Sequence, residues 1–122
     1  MGNKIVLIED NKMNSRLAQK VLESAGMEVF VYSNAEEALS GLNGIRPSLV
    51  LVDLQLPGIS GYDFVRQVRR FEKYAGVPLV AISANVREED KSKAYAAGCD
   101  GFIEKPMNTR TLVRDLQDYL SG

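Results

Sequence analysis

Apolar residues in this chain fall into short unbroken runs that alternate with longer stretches where they recur every three or four positions. Lys4-Ile-Val-Leu-Ile8, Leu49-Val-Leu-Val-Asp53 and Pro78-Leu-Val-Ala-Ile82 are the unbroken runs, the pattern of strands covered on both faces. Glu28 to Tyr32 and Gly101-Phe-Ile-Glu104 complete a set of five predicted strands. The spacing between them is helical. Met13, Leu17 and Val21, with Ala18, Leu22 and Ala25, predict one apolar stripe on a first helix stopped by Gly26. Ser33 or Asn34 caps a second helix, whose inner face is Ala35, Ala38, Leu39 and Leu42 and whose end is set by Asn43-Gly44. Phe64, Val65, Val68 and Phe71 give the third helix its buried face. A fourth, Arg87 to Ala97, has only Val86, Ala94, Tyr95 and Ala97 to pack and is predicted to be loosely held. Asn108 or Thr109 caps the last, with Leu112, Val113, Leu116 and Leu120 inward. Five strands alternating with five helices predict an α/β fold with a doubly wound parallel sheet, because each crossover must pass over one face of the sheet.

At 122 residues the chain is expected to be a single domain, 1–122 with its core at 4–120, and it contains no repeat, linker or low-complexity tract. Fifteen basic and sixteen acidic residues leave a net charge of −1, which points away from a nucleic-acid or anionic-membrane partner. No apolar stretch reaches the roughly 20 residues a spanning helix needs, and no signal-peptide core opens the chain, so no membrane insertion and a cytoplasmic location are expected. Met1-Gly2 lacks the hydroxyl residue at position six that myristoylation requires, since Val6 stands there. The single cysteine, Cys99, reads as a small core residue. The absence of histidine removes Ser-His-Asp and Cys-His nucleophile pairs and histidine-containing zinc sites, leaving carboxylates, lysine and hydroxyls for any chemistry.

Those groups stand at strand ends. The central run closes on Asp53, because an unpaired carboxylate inside the aliphatic layer would cost several kcal/mol by order of magnitude. The first strand closes on Glu9-Asp10, the fourth on Ser83-Ala84 and the fifth on Lys105-Pro106. In a parallel sheet these ends share one edge, where open α/β folds bind ligands. Three clustered carboxylates raise one another's proton affinity, and a hard divalent cation together with the Lys105 ammonium relieves them. Mg²⁺ suits such a cluster, with Asp53 as candidate nucleophile and Lys105 and the Ser83 hydroxyl as contacts for phosphoryl oxygens.

With Glu9-Asp10, Asp53 followed by Leu-Pro-Gly and Gly61, Ser83-Ala84 and Lys105-Pro106 in this order and spacing, residues 4 to 120 resemble the receiver domain of two-component response regulators. The resemblance implies a flavodoxin-like sheet of order 2-1-3-4-5. It implies that Asp53 accepts phosphate from a histidine kinase or histidine phosphotransfer protein, and that Glu9, Asp10, Asp53 and the Gln55 carbonyl hold Mg²⁺. It further implies Ser83 as the switch hydroxyl, Ala84 beside it, Phe102 as the switch aromatic, Lys105 as the phosphate-binding lysine, and a cis peptide before Pro106. The family more often has threonine at the Ser83 position and tyrosine at the Phe102 position. A donor is expected to dock around Lys12, Ser15 and Met107, and a downstream protein partner on the fourth helix, fifth strand and fifth helix.

The rival from another class is an aspartate-nucleophile phosphohydrolase, which commonly has an acidic residue two positions after the nucleophile. Gln55 stands there and has no proton to give as an acid. A dinucleotide loop fails because Glu-Asp-Asn follows the first strand where glycines are needed. With the sequence closing at Ser121-Gly122 and no output domain, a stand-alone receiver of the DivK type is expected, and a receiver excised from a hybrid histidine kinase or larger regulator is the alternative.

Overall fold

The computed structural model describes residues 2–120. Five strands, β1 (Lys4–Ile8), β2 (Glu28–Tyr32), β3 (Leu49–Asp53), β4 (Leu79–Ser83) and β5 (Gly101–Glu104), form one parallel sheet in the order β2-β1-β3-β4-β5. Five α-helices connect and follow them: α1 (Lys12–Ser24), α2 (Ala35–Ile45), α3 (Gly61–Arg69), α4 (Glu88–Ala97) and α5 (Leu112–Leu120). The expected doubly wound architecture and strand order are therefore present, and the family's fold with them. Side chains alternate along each strand between two cores. Val6, Ile8, Val50, Val52 and Ala81 pack beneath α2, α3 and α4, while Ile5, Leu7, Leu49, Leu51, Val80 and Ile82 pack against α1 and α5. Burial on both faces is why these strands read as unbroken apolar runs.

Helix faces depart from the expectation in several places. On α1 the buried line is Ser15, Ala18 and Leu22, whereas Met13 and Leu17 are 74% and 51% exposed and Ala25 lies at the exposed C-terminal cap. The six predicted positions span too wide an arc for one helix on a sheet: Leu17 and Ala18 alone point about 100° apart. Helix α2 is capped by Asn34, which accepts from the Glu37 N–H at 2.8 Å, but it continues through Asn43-Gly44 to Ile45. Burying Ile45 outweighs the helix cost of Gly44, and Arg46 ends the helix in the left-handed region at φ 55°. Phe71 lies beyond α3 and is 53% exposed; an unforeseen 3-10 turn at Glu72–Tyr74 buries Tyr74 instead, its ring edge-on to Phe71 at 6.1 Å. In α4 only Ala94 and Ala97 are buried, with Tyr95 49% exposed, so the thin apolar face is even thinner than expected. Asn108 starts a turn, accepting from the Arg110 N–H, and α5 proper begins only at Leu112.

Candidate functional site

Strand register sets the site. Ile8 lies beside Val52, Asp53 beside Ile82, and Ser83 beside Glu104, so the residues that follow β1, β4 and β5 surround Asp53 at the carboxyl edge. Glu9, Asp10 and Asp53 each place a carboxylate oxygen within 4.8 Å of the others. Glu9 and Asp53 are only 2% and 1% exposed; Asp10 is open to solvent. The Lys105 ammonium bridges the two buried acids, 2.6 Å from Asp53 Oδ2 and 3.0 Å from Glu9 Oε1. The peptide bond from Lys105 to Pro106 is cis.

Local geometry fixes each acid. Asn11 caps α1 by accepting from the Asn14 N–H at 3.0 Å, and its own N–H donates to Glu9 Oε2 at 3.1 Å, turning the Glu9 carboxylate toward Asp53. Asp53 Oδ1 accepts from the Gln55 N–H at 2.8 Å, leaving Oδ2 to the lysine. The loop then closes tightly: the Gly61 N–H returns to the Leu54 carbonyl, and a Cβ at Gly61 would collide with the Asp53 carbonyl, so only glycine starts α3 this close to the acid. Gly58 sits at φ 75°, where glycine meets no Cβ penalty.

Burial pushes the Glu9 carboxyl above its ordinary range; the Asn11 N–H and Lys105 offset part of that, and Asp53 adds to it. Burial alone would lower the Lys105 ammonium, but its hydrogen bonds and charge contacts with Asp53 and Glu9 together hold it above the ordinary lysine value. Three carboxylates facing one lysine remain an acid-rich, all-oxygen donor set, two of the three shielded from water. That chemistry fits a hard divalent cation such as Mg²⁺.

Ser83 is fully buried at the end of β4. Its hydroxyl donates to Gln55 Oε1 at 2.9 Å and accepts from the Asn85 N–H at 3.0 Å, while Ala84 is exposed beside it. Phe102 is half-buried on β5 against the core beneath α2 to α4, with the Lys91 ammonium 6.0 Å from its ring. Phe102 also lines a groove of about 450 Å³ with Glu104, Pro106, Asp115, Asp118 and Tyr119. The structure thus brings Glu9, Asp10, Asp53, Gln55, Ser83 and Lys105 together and sets Phe102 on a surface of its own.

Among the residues expected near a donor, Ser15 is 6% exposed and bonded to the Lys12 carbonyl, so it offers no surface. The exposed apolar groups there are Met13 and Leu17; Leu17 borders a shallow groove with Pro106, Met107 and Thr109, and Met13 lines a second one with Arg16, Leu17 and Lys20. The side-chain role of Gln55 and the Asn11 link to Glu9 were not foreseen. The polar run Asn11 to Ser15 signalled a capped helix start but not the direction of its N–H groups.

A family model for the response regulator receiver domain matches residues 5–117. The chain is 28% identical over 120 residues to the polar-differentiation response regulator DivK of Brucella anthropi, covering 98% of each. Among solved structures, the chemotaxis response regulator CheY4 of Vibrio cholerae superposes with a TM-score of 0.94 at 28% identity, covering 98% of this chain and 100% of that one. The receiver domain of sensor histidine kinase PA1611 of Pseudomonas aeruginosa, solved with a magnesium ion coordinated in its active-site cleft, is 30% identical over the full length of both chains with a TM-score of 0.91.

Proposed function

The chain belongs to the response regulator receiver domain family of two-component systems, and from that premise we propose that Asp53 is its phosphoacceptor, charged by a histidine kinase or histidine phosphotransfer protein in the cytoplasm. The observation that carries the reading is a nearly buried carboxylate at the end of the central strand, 2.6 Å from a lysine and within 4.8 Å of two further acids. An Asp53 oxygen attacks the phosphorus of a phosphohistidine; the new O–P bond forms as the N–P bond breaks and its electron pair returns to the imidazole. Lys105, whose ammonium is already beside the nucleophile, moves its contact from the carboxylate to a phosphoryl oxygen. Ser83 supplies a hydroxyl proton to another. Glu9, Asp10, Asp53 and the Gln55 carbonyl would hold Mg²⁺, which when bound offsets the negative charge of the phosphoryl group.

Transfer stops at the acyl phosphate because Gln55, two residues after the nucleophile, has no acidic proton for efficient turnover. That disfavours the phosphohydrolase and supports a signalling acceptor. A donor helix is proposed to lie on Met13 and Leu17 of α1 beside Met107, and a downstream protein on the groove at β5 and α5, where Glu104, Asp115 and Asp118 favour a basic partner.

Likeness over 98% of both chains to DivK supports a stand-alone regulator. The equally complete likeness to a sensor kinase's receiver favours a second reading, a receiver cut from a larger kinase; the length of the reading frame around these 122 residues separates the two.

Intact-mass analysis with acetyl phosphate and Mg²⁺ is expected to show one added phosphoryl group, absent from Asp53→Asn and from wild type in EDTA. Asp10→Ala should lose the modification while melting at the same or a higher temperature, because removing one of three like charges relieves the apo fold. An Asp53→Asn protein modified as fully as wild type would overturn the assignment.

A further inference from the structure

The Ser83 hydroxyl has a single proton, and the structure shows where it goes. Its oxygen already accepts from the Asn85 N–H at 3.0 Å, and the proton is directed to the Gln55 carboxamide oxygen at 2.9 Å. The opposite orientation of the amide would present two donors to a hydroxyl that is already accepting one hydrogen bond and leave the hydroxyl proton with no acceptor, so the carboxamide oxygen is the group that satisfies this fully buried serine. The same residue touches the nucleophile: the Gln55 N–H donates to Asp53 Oδ1 at 2.8 Å. Pairing of β3 with β4, continued by the Leu54 N–H to the Ile82 carbonyl at 3.0 Å, is what brings two residues 28 positions apart into contact.

We infer that Gln55 acts through its side chain as a positioning residue, holding the Ser83 hydroxyl in its unphosphorylated place and competing with an arriving phosphoryl oxygen for the hydroxyl proton. The inference rests on Asp53 as phosphoacceptor with Ser83 as its hydroxyl contact. One proton cannot serve both acceptors, so every phosphorylation event must break the Gln55 bond. Gln55 is itself exposed, which lets the side chain swing into water when released and keeps the hold weak enough to lose. The backbone of Gln55 moves with the Asp53 carboxylate through the N–H contact, so a change at the acid reaches the serine through one residue. A methionine or alanine at this position would leave the serine without its present acceptor and favour the phosphorylated arrangement.

The test uses beryllofluoride with Mg²⁺ as the phosphoryl probe and the Asn85 amide resonance as the reporter. Gln55→Met keeps the length of the side chain and both backbone groups but removes the acceptor. It is expected to bind the probe about three- to tenfold more tightly than wild type, the range that losing one modest competing hydrogen bond gives. In a Ser83→Ala background the same substitution is expected to change nothing. With neither probe nor magnesium present, three-bond couplings should report one Ser83 χ1 rotamer in wild type and an average over rotamers in Gln55→Met. A wild-type protein that takes up no beryllofluoride removes the phosphoacceptor reading and the competition with it. If wild type binds the probe and Gln55→Met binds no more tightly, or tightens equally with and without the Ser83 hydroxyl, the competition alone is overturned. An unchanged Ser83 rotamer in the free variant removes the hold.

Discussion

Cys99 shows how burial at one residue becomes a property of the folded state. It is 6% exposed in the core beneath α2 to α4, and burial pushes its thiol from 9.0 up to about 11, with Arg69 lowering it slightly and Asp100 raising it. An acid whose value is raised by folding keeps its proton longer folded than unfolded. Between pH 9 and about 11 the folded state therefore binds more protons, and stability falls as pH rises. The contribution is at most about 2–3 kcal/mol. Urea midpoints between pH 8 and 11 should fall less steeply for Cys99→Ala than for wild type; equal slopes would place the alkaline sensitivity elsewhere. Its core role was legible from the sequence, since a single cysteine has no partner for an internal disulfide and no histidine to pair with. Asp53 was legible for a different reason, as a charge placed where an apolar run must stop, and Lys105 through its place in the ordered set of strand-end residues. The Gln55 side chain carried no such signal, because its partner lies on another strand and only the sheet order brings them together.

At the scale of elements, strands were easier to read than helix faces. An unbroken apolar run has one interpretation on a two-sided sheet, whereas a line of residues four apart fits several helical faces, and the line through Met13 and Leu17 turned out to face water. That exposed line is where a donor helix is expected. Leu17→Asp with Met107→Asp should slow phosphotransfer from a cognate donor protein while leaving modification by acetyl phosphate unchanged, since neither residue touches Asp53. Equal slowing with both donors would locate the effect in the site and remove the docking surface. Arg69 at the end of α3 was also unforeseen. Its guanidinium donates to the carbonyls of Gly98 (2.9 Å), Tyr74 (2.9 Å) and Val77 (2.9 Å) and pairs with Asp100 at 2.6 Å, tying α3 to the end of α4 and the start of β5. Arg69→Ala should cost about 2–4 kcal/mol, because several carbonyls lose a charged donor in a partly buried place. Arg69→Lys should restore only part, lacking the planar fork. A loss below about 0.5 kcal/mol in urea would mean that the contacts behave like a surface ion pair.

Across the whole molecule, the acidic site and the groove at β5 and α5 are separate surfaces joined by β4, β5 and the weakly packed α4. The sheet order legible from the resemblance places β4 between them, and the thin face of α4, reduced to Ala94 and Ala97, makes that helix the element most easily displaced. Phe102 is poised at the junction: half in the core, half in the groove, with Lys91 of α4 over its ring at 6.0 Å. In the proposed switch, a Ser83 hydroxyl drawn toward a phosphoryl group would vacate space that the Phe102 ring, on the adjacent strand opposite Ala81, could enter. Phenylalanine has no hydroxyl to anchor it in either position, so packing and the Lys91 contact set the balance, and filling an otherwise empty volume is worth roughly 1–3 kcal/mol. A bias of that size shifts a two-state population by about five- to 150-fold. Turning the ring inward would also withdraw it from Lys91 and loosen α4 from β5. Beryllofluoride with Mg²⁺ is therefore expected to move amide resonances from Ala84 through Phe102, well beyond the acidic cluster. In Phe102→Ala the shifts around Asp53 and Ser83 should remain while those along α4 shrink. Shifts of full size along α4 in that variant would mean that the ring is only core and that the signal crosses the sheet by another route.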